Sequence, residues 1–294
     1  VLTSPDRQTL RTGATILENV GQPSDLPVLL NTLNQRIQLT VQKPRWTAVK
    51  DDDHSDLEGW QLQDDCLILI RACRALLEEG ATLPANSAST PAGFILKPAN
   101  RVAALKHPIP FVRQMTLEAL KPVGNSPQKI TVPASIRALL PALIQDPDPS
   151  VRVAACEVAR FSQDKTLLPN VLELAKTAKN RWVIGSANSA VSVLGSRYEG
   201  WVLWANRLDE PGQLYRALEN LVDVVKHSGY GTNTNSSLNR EQIKALKAKW
   251  LQFLKSNRAR LEAGNLFSLD EPAWPKGLFP PQFVPGPIPA KSAS

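Results

Sequence analysis

Leu139-Leu140-Pro141-Ala142-Leu143-Ile144-Gln145-Asp146-Pro147-Asp148-Pro149-Ser150-Val151-Arg152 is the stretch whose reading decides the fold. An apolar run gives way to a tight Asp/Pro turn, and a second helix opens on Val-Arg. Proline has no N–H to donate and holds φ near a helical value, so it suits a turn and the first turn of a helix. The same pattern stands 39 residues earlier as His107-Pro108-Ile109-Pro110-Phe111-Val112-Arg113. At that offset Pro108, Pro110, Val112, Arg113 and Glu118 match Pro147, Pro149, Val151, Arg152 and Glu157. Self-similarity at such a period marks stacked helix pairs, each too thin to bury its apolar face alone. The expected fold is therefore all-α, an α-solenoid of antiparallel helix pairs.

Working outward, a first helix is expected after Ser4-Pro5-Asp6, ending at Gly21-Gln22-Pro23-Ser24, with a second opening at Asp25-Leu26-Pro27. Residues 40–60 read as irregular, and a strong helix runs from about Trp60 to Glu79 with Gly80 as its stop. Residues 81–98 are rich in Ala, Ser, Thr and Pro and read as a loop inserted on one face. Two further pairs follow by rhythm: one turning near Lys179-Asn180, one turning at Asp209-Glu210-Pro211-Gly212. Residues 227–238 read as a polar loop. A last long helix is expected from Asn239 to Ala263, ended by Gly264. The tail from Glu271 is proline-rich and reads as extended, pinned to the body by Trp274, Phe279 and Phe283 and fraying beyond Pro285. No stretch convinces as a strand; Ile37-Gln38-Leu39-Thr40-Val41 alternates but is short and isolated.

The pairs at 98–121 and 134–162 resemble HEAT repeats. The string from Leu139 to Arg152 is close to that family's form: helix A with an internal proline, an Asp/Pro turn, then Val-Arg opening helix B. Leu-Pro recurs at Leu26-Pro27 and Leu168-Pro169, and the resemblance implies a bend in helix A at each. It also implies a ladder in which turn Asp and helix-B Arg link neighbouring repeats. Asp146, Arg113 and Arg152 fit that ladder; His107 stands in place of the Asp, and Ile184 falls where the next Arg would be. The segments are then 1–97, irregular helical repeats with an acidic loop and an insertion; 98–264, HEAT-like repeats closed by a basic capping helix; and 265–294, the proline-rich tail. The resemblance implies a concave surface lined by the second helices, near 112–121, 151–161, 183–194 and 214–226. It implies binding or scaffolding more than chemistry, although certain DNA glycosylases and bilin lyases are HEAT-like; nothing in the chain singles either out.

The chain has 294 residues, 43% of them apolar, and a net charge of +7, which favours acidic partners or anionic surfaces. No apolar run reaches the length of a membrane span; Cys66-Leu67-Ile68-Leu69-Ile70 is broken at once by Arg71. Cys66, Cys73 and Cys156 sit among apolar residues and read as buried free thiols. Asn, Gln, Ser, Thr and Pro are abundant and Lys and Glu scarce, a composition that leans towards an exported, periplasmic bacterial protein.

Between residues 226 and 260 there are eight Lys/Arg and one acid, Glu241. Ile243, Leu246, Trp250, Phe253, Leu254 and Leu261 form one face of the last helix, and Arg240, Lys244, Lys247, Lys255 and Arg258 fall in a narrow arc on another. That arc reads either as a rail for phosphates or an acidic protein, or as the solvated face of a capping helix. Asp51-Asp52-Asp53-His54-Ser55-Asp56-Leu57-Glu58 lacks the alternating ligands of a calcium loop and reads as a solvated acidic loop. His54, His107 and His227 are far apart, with no H-E-x-x-H and no C-x-x-C, so neither a metal nor a cofactor is expected. His107 sits in a repeat turn, where a structural role is expected. No nucleophile elbow is present around Ser228, and no catalytic residues are expected. Five of the seven tryptophans, Trp182, Trp201, Trp204, Trp250 and Trp274, lie in the C-terminal half. They are expected to pack between helix pairs, with Trp201 and Trp204 as the exposed exceptions.

The functional expectation is a protein-binding scaffold without enzymatic activity, with Arg113, Gln114, Arg152 and Arg216 as contacts on the concave face. The alternative is a nucleic-acid binder using the basic arc of the last helix.

Overall fold

The computed structural model describes residues 7–42, 57–122, 129–225, 230–232, 238–268, 271, 274–275, 277–279 and 283–285. Among them the chain is helical, joined by turns, apart from one two-stranded ribbon and one isolated bridge between Val225 and Phe267. The contacts divide it into two compact units, Val1–Asn170 and Val171–Ser294. The acidic residues 51–56, His54, His227 and the tail beyond Pro285 lie outside the described residues.

In the first unit, α1 (Arg7–Val20) and α2 (Leu26–Gln42) both pack on α3 (Leu57–Glu78). The apolar spacing of each helix delivers one face to a shared core: Leu10 and Ala14, then Leu29, Leu33 and Ile37, then Cys66, Leu69, Ile70, Cys73 and Leu76. Each buried leucine or isoleucine contributes about 2 kcal/mol of hydrophobic stabilisation. Arg7 of α1 donates Nε to the interior Asp65 of α3 at 2.9 Å, and Arg36 approaches the same carboxylate from α2 at 3.9 Å. Burial pushes the Asp65 carboxyl above its ordinary range, and the two guanidiniums pull against that shift. Gly80 takes φ +99°, which only glycine adopts without strain, and so ends α3 where the sequence places the stop.

The expected loop at 81–98 is instead structured. A 3-10 turn over Ala85–Ser89 leads into α4 (Pro91–Leu96), with Ala92, Ile95 and Leu96 buried in the same core. Thr90 caps α4 by accepting from the Gly93 N–H, and Asn34 of α2 accepts from the Ala92 N–H at 2.8 Å. Composition pointed to a loop because a six-residue helix carries no readable periodicity; its core contacts, not its propensity, hold it. That core runs on through Ala104 of α5 (Arg101–Leu105) to Phe111, Val112 and Met115 of α6 (Pro110–Glu118), so the segment boundary drawn at 97/98 falls within it.

The unit closes with α7 (Ala134–Arg137), α8 (Leu140–Ile144) and α9 (Pro149–Ser162), α9 packing on both α8 and α6. Pro141 does not bend a continuous helix A. It is the second residue of α8, separate from α7, just as Pro27 and Pro169 are the second residues of α2 and α10 (Leu168–Thr177). A proline in the first turn has no intrahelical hydrogen bond to break, so these Leu-Pro pairs start helices rather than kink them.

In the second unit α11 (Arg181–Leu194) packs on α12 (Arg197–Asn206), which packs on α13 (Leu214–Leu221) and on α14 (Arg240–Ser256). Asn180 and Ser196 cap α11 and α12, Ser196 through a reciprocal pair of bonds with Glu199. Arg207, only 4% exposed, donates to the carbonyls of Ala175 and Ala178 at the end of α10 and pairs with Glu210. The expected single last helix breaks at Asn257, after which α15 (Arg258–Glu262) resumes. Asn257 donates Nδ2 to the Phe253 carbonyl, the local side-chain competition that makes Asn a poor helix residue. Gly264, at φ +77°, ends this element as expected.

Two of the three expected pins, Trp274 and Phe279, pack against the body. Trp250 is fully buried and donates Nε1–H to the Leu278 carbonyl at 2.7 Å. Around it stand Phe253, Trp274 and Phe279 with ring centroids 5.2–6.3 Å away, mostly edge to face. The polar loop and the tail meet in an antiparallel ribbon that the sequence does not announce: β1 (Tyr230–Thr232) against β2 (Phe283–Pro285), with Gly231 opposite Val284.

Candidate functional site

The two repeat turns are built alike. Arg113 donates Nη1 to the carbonyls of His107 at 2.7 Å and Pro108 at 3.1 Å. Arg152 donates Nη1 to those of Asp146 at 2.8 Å and Pro147 at 3.3 Å. Glu118 pairs with Lys121 and Glu157 with Arg160, again at matching positions. Arg113 then reaches the next turn, binding Asp146 through Nε and Nη2, both at 2.8 Å. Where the first turn lacks an aspartate, His107 accepts from the Ile109 N–H through Nδ1 and lies edge-on to Phe94, a structural role.

These bonds change the standing of three expected contacts. Arg113 and Arg152 are committed to turn carbonyls and, for Arg113, to a carboxylate. Gln114 is 6% exposed and has almost no surface to offer. A helix position next to such an arginine points inward as easily as outward, and spacing alone does not separate the two.

The basic arc is present but partly neutralised. Arg240, Lys244 and Lys255 stand exposed on α14. Lys247 donates to Asp209 at 2.7 Å, and that bond holds the Asp209 carboxyl below its usual range. Arg258 pairs with Glu262 at 2.9 Å and lies over the Tyr198 ring, and Arg260 is clamped by Glu271. The opposite face buries Leu246, Trp250, Phe253, Leu254 and Leu261 as the pattern requires, with Ile243 half-buried.

Among the tryptophans whose side chains are described, the exposed one is not one of the two expected. Trp201 and Trp204 are 4% and 5% exposed, whereas Trp182 is 48% exposed. Trp201 and Trp204 lie within α12, between its neighbours; Trp182 is the second residue of α11, where the helix has just emerged from its cap. Arg181 lies over its ring at 5.0 Å and Arg216 of α13 at 5.8 Å, with Arg216 also 6.0 Å from the Trp204 ring. Gly185, one turn along α11, makes this possible: a β-carbon there would collide with Nη2 of Arg216. Burial between the rings lowers the Arg216 pKa, and the neighbouring Arg181 charge lowers it further, while Glu219 opposes both. Among the described residues no carboxylate or carbonyl is bonded to the Arg216 guanidinium. The sequence carried half of this signal in Arg216; the exposure of Trp182 depends on what packs beside it.

Among the described residues no group of three or more His, Cys, Asp or Glu side chains is placed to hold a metal ion. No helix among them is long and apolar enough to cross a membrane. No protein-family model matches this chain, and comparison with curated proteins and with solved structures likewise finds no match.

Proposed function

We propose that this protein is a binding scaffold whose helix pairs stack as an α-solenoid of the HEAT kind and whose second unit carries the contact point for a protein partner. The observation that carries the reading is Trp182: a large aromatic side chain, half-exposed, with the guanidiniums of Arg181 and Arg216 near its ring. Tryptophan and arginine are enriched among the residues that dominate the energetics of protein interfaces, and tryptophan covers much surface for little loss of conformational freedom. Trp182 stands on α11 and Arg216 on α13, two of the second helices expected to line the concave face. The duplicated turn at Arg113 and Arg152 supports the repeat architecture, since two segments 39 residues apart make the same bonds. A nucleic-acid reading would draw on the exposed Arg240, Lys244 and Lys255, but ion pairs at Lys247 and Arg258 interrupt that track.

A photoreactive amino acid placed at position 182 tests the proposal in native lysate, at low and high salt, with and without nuclease. The expected product is a protein adduct that survives both treatments and is absent when the same probe replaces Lys129 of the other unit. Nucleic acid as the adduct, lost at high salt, overturns the reading, as does the absence of any adduct specific to position 182.

A further inference from the structure

We propose that the notch formed by Trp182, Gly185 and Arg216 recognises an acidic protein segment, a carboxylate of the partner seating against Arg216 and an adjoining large apolar side chain covering the exposed part of the Trp182 ring. This rests on the protein-binding reading and names the chemistry of the partner.

The charge of the notch argues for an anion. The half-buried Arg216 lies by the Trp182 and Trp204 rings and has no carboxylate or carbonyl bonded to it among the described residues, with Glu219 near enough to act on its charge. A buried charge normally finds a partner, because desolvating it without one is costly. The rings supply cation–π attraction, which does not cancel the charge of Arg216, and Glu219 offsets part of that charge without bonding the guanidinium fork. A carboxylate would supply two acceptor oxygens matched to the guanidinium fork, and such charge-assisted bonds are the strong ones.

The surroundings argue for a carboxylate on a protein rather than a polyphosphate chain. Between residues 171 and 225 there are six basic and six acidic residues, so the segment that carries the notch has no net positive charge. A nucleic-acid strand needs a track of cations along its backbone, with aromatics at successive bases; among the described residues Trp182 is the one exposed aromatic ring. A point of positive charge beside one apolar plate matches a side-chain pair, an acid next to a leucine or an aromatic.

Gly185 shows how the notch is kept open. Glycine in a helix interior is less favourable than alanine. At position 185 that cost goes with the space Arg216 occupies. The colliding atom is the far end of a flexible side chain, so Gly185→Ala leaves the helices in place and moves the guanidinium.

The test uses the whole chain and three sets of labelled short peptides: Asp or Glu beside Leu, Phe or Trp; the same peptides with Asn or Gln for the acids; and lysine-rich peptides of equal apolarity. A labelled oligothymidylate is the fourth probe. The acidic-apolar set should bind, and amide replacement should weaken binding by about tenfold or more. Arg216→Gln and Gly185→Ala should each cause a loss of similar size, with the thermal midpoint of Gly185→Ala unchanged or raised. If the amide peptides bind equally well, and Trp182→Ala alone abolishes binding, the acidic specificity is overturned while protein binding stands. If the oligothymidylate binds and the peptides do not, both readings fall. Binding of acidic peptides that neither Arg216→Gln nor Gly185→Ala alters overturns the assignment to this notch, as does binding by none of the four probes.

Discussion

Arg113 and Asp146, 33 residues apart, meet in a two-pronged ion pair in which Nε and Nη2 each donate at 2.8 Å to separate carboxylate oxygens. The third nitrogen, Nη1, is taken by the carbonyls of Arg113's own turn, and Asp146 also accepts from the Asp148 N–H. One guanidinium thus joins two successive turns of the repeat. Both side chains are nearly buried, and that placement makes the pair sensitive to loss of one partner.

Arg113→Met should lower the unfolding free energy by about 3 kcal/mol, because it strands a buried carboxylate and two turn carbonyls. Arg113→Lys should recover little, since an ammonium cannot reproduce the fork. In urea denaturation the Arg113→Met/Asp146→Leu double variant should be less destabilised than the two single changes together, by about 1–3 kcal/mol. Strict additivity would show that the bridge does not couple the turns.

Two helix glycines should respond to alanine with opposite signs. At Gly185 the obstacle is the mobile end of Arg216, so Gly185→Ala should be neutral or stabilising by up to about 1 kcal/mol. At Gly93 of α4 a β-carbon would run into the backbone carbonyl of Ser87, which cannot swing aside. Gly93→Ala should therefore cost about 1–3 kcal/mol. Thermal midpoints of the two variants measured side by side decide the point; equal shifts would contradict it.

The buried thiols should make the protein sensitive to alkali. Burial pushes Cys66 and Cys156 up to about 12, and shifts Cys73 in the same direction. An unfolded thiol loses its proton from about pH 9, while the native one keeps it. The native state then binds more protons, so stability falls as pH rises through the window between about 9 and 12. The slope is about 1.4 kcal/mol per pH unit for each thiol, and below the window it vanishes. Denaturation at stepped alkaline pH should show a shallower slope in Cys66→Ala and Cys156→Ala. A thiol reagent at neutral pH should find all three groups only after unfolding.

Asp209 should behave in the opposite sense. The Lys247 ammonium bonded to it lowers its carboxyl, so the pair stabilises the native state above the unfolded carboxyl pKa and loses that effect as pH falls through the native value. Both side chains are partly solvated, which limits the effect to under about 1 kcal/mol. Lys247→Gln should return the Asp209 titration upward in a carbon-detected NMR experiment. No movement would mean that the pair does not persist in solution.

The repeat turn, the helices from Arg7 to Glu78, the stops at Gly80 and Gly264, and the aromatic pins Trp274 and Phe279 are all legible in the residues. Each rests on a local rule: periodicity, a cap, a positive φ, or a proline in a first turn. The misses share a cause. The helix at Pro91–Leu96 is too short to show a period and exists because the core receives Ile95 and Leu96. The break at Asn257 needs knowledge of which carbonyl its side chain meets. Gln114 and Trp182 exchange the roles expected of a surface residue and a core residue, because exposure is set by the neighbouring element and not by residue type.

By itself, then, the sequence determined that the chain is helical, where its best-marked helices begin and end, and which arginines and aspartate repeat at the turns, because these follow from hydrogen bonding and side-chain shape within a few residues. Tertiary structure alone decided that Arg113 would close on Asp146, that Trp182 rather than Trp201 would face solvent, and that Arg216 would lie across Gly185 between two indole rings. Those outcomes depend on distances between helices far apart in the chain, and such distances are set by how the apolar faces pack once they are buried together.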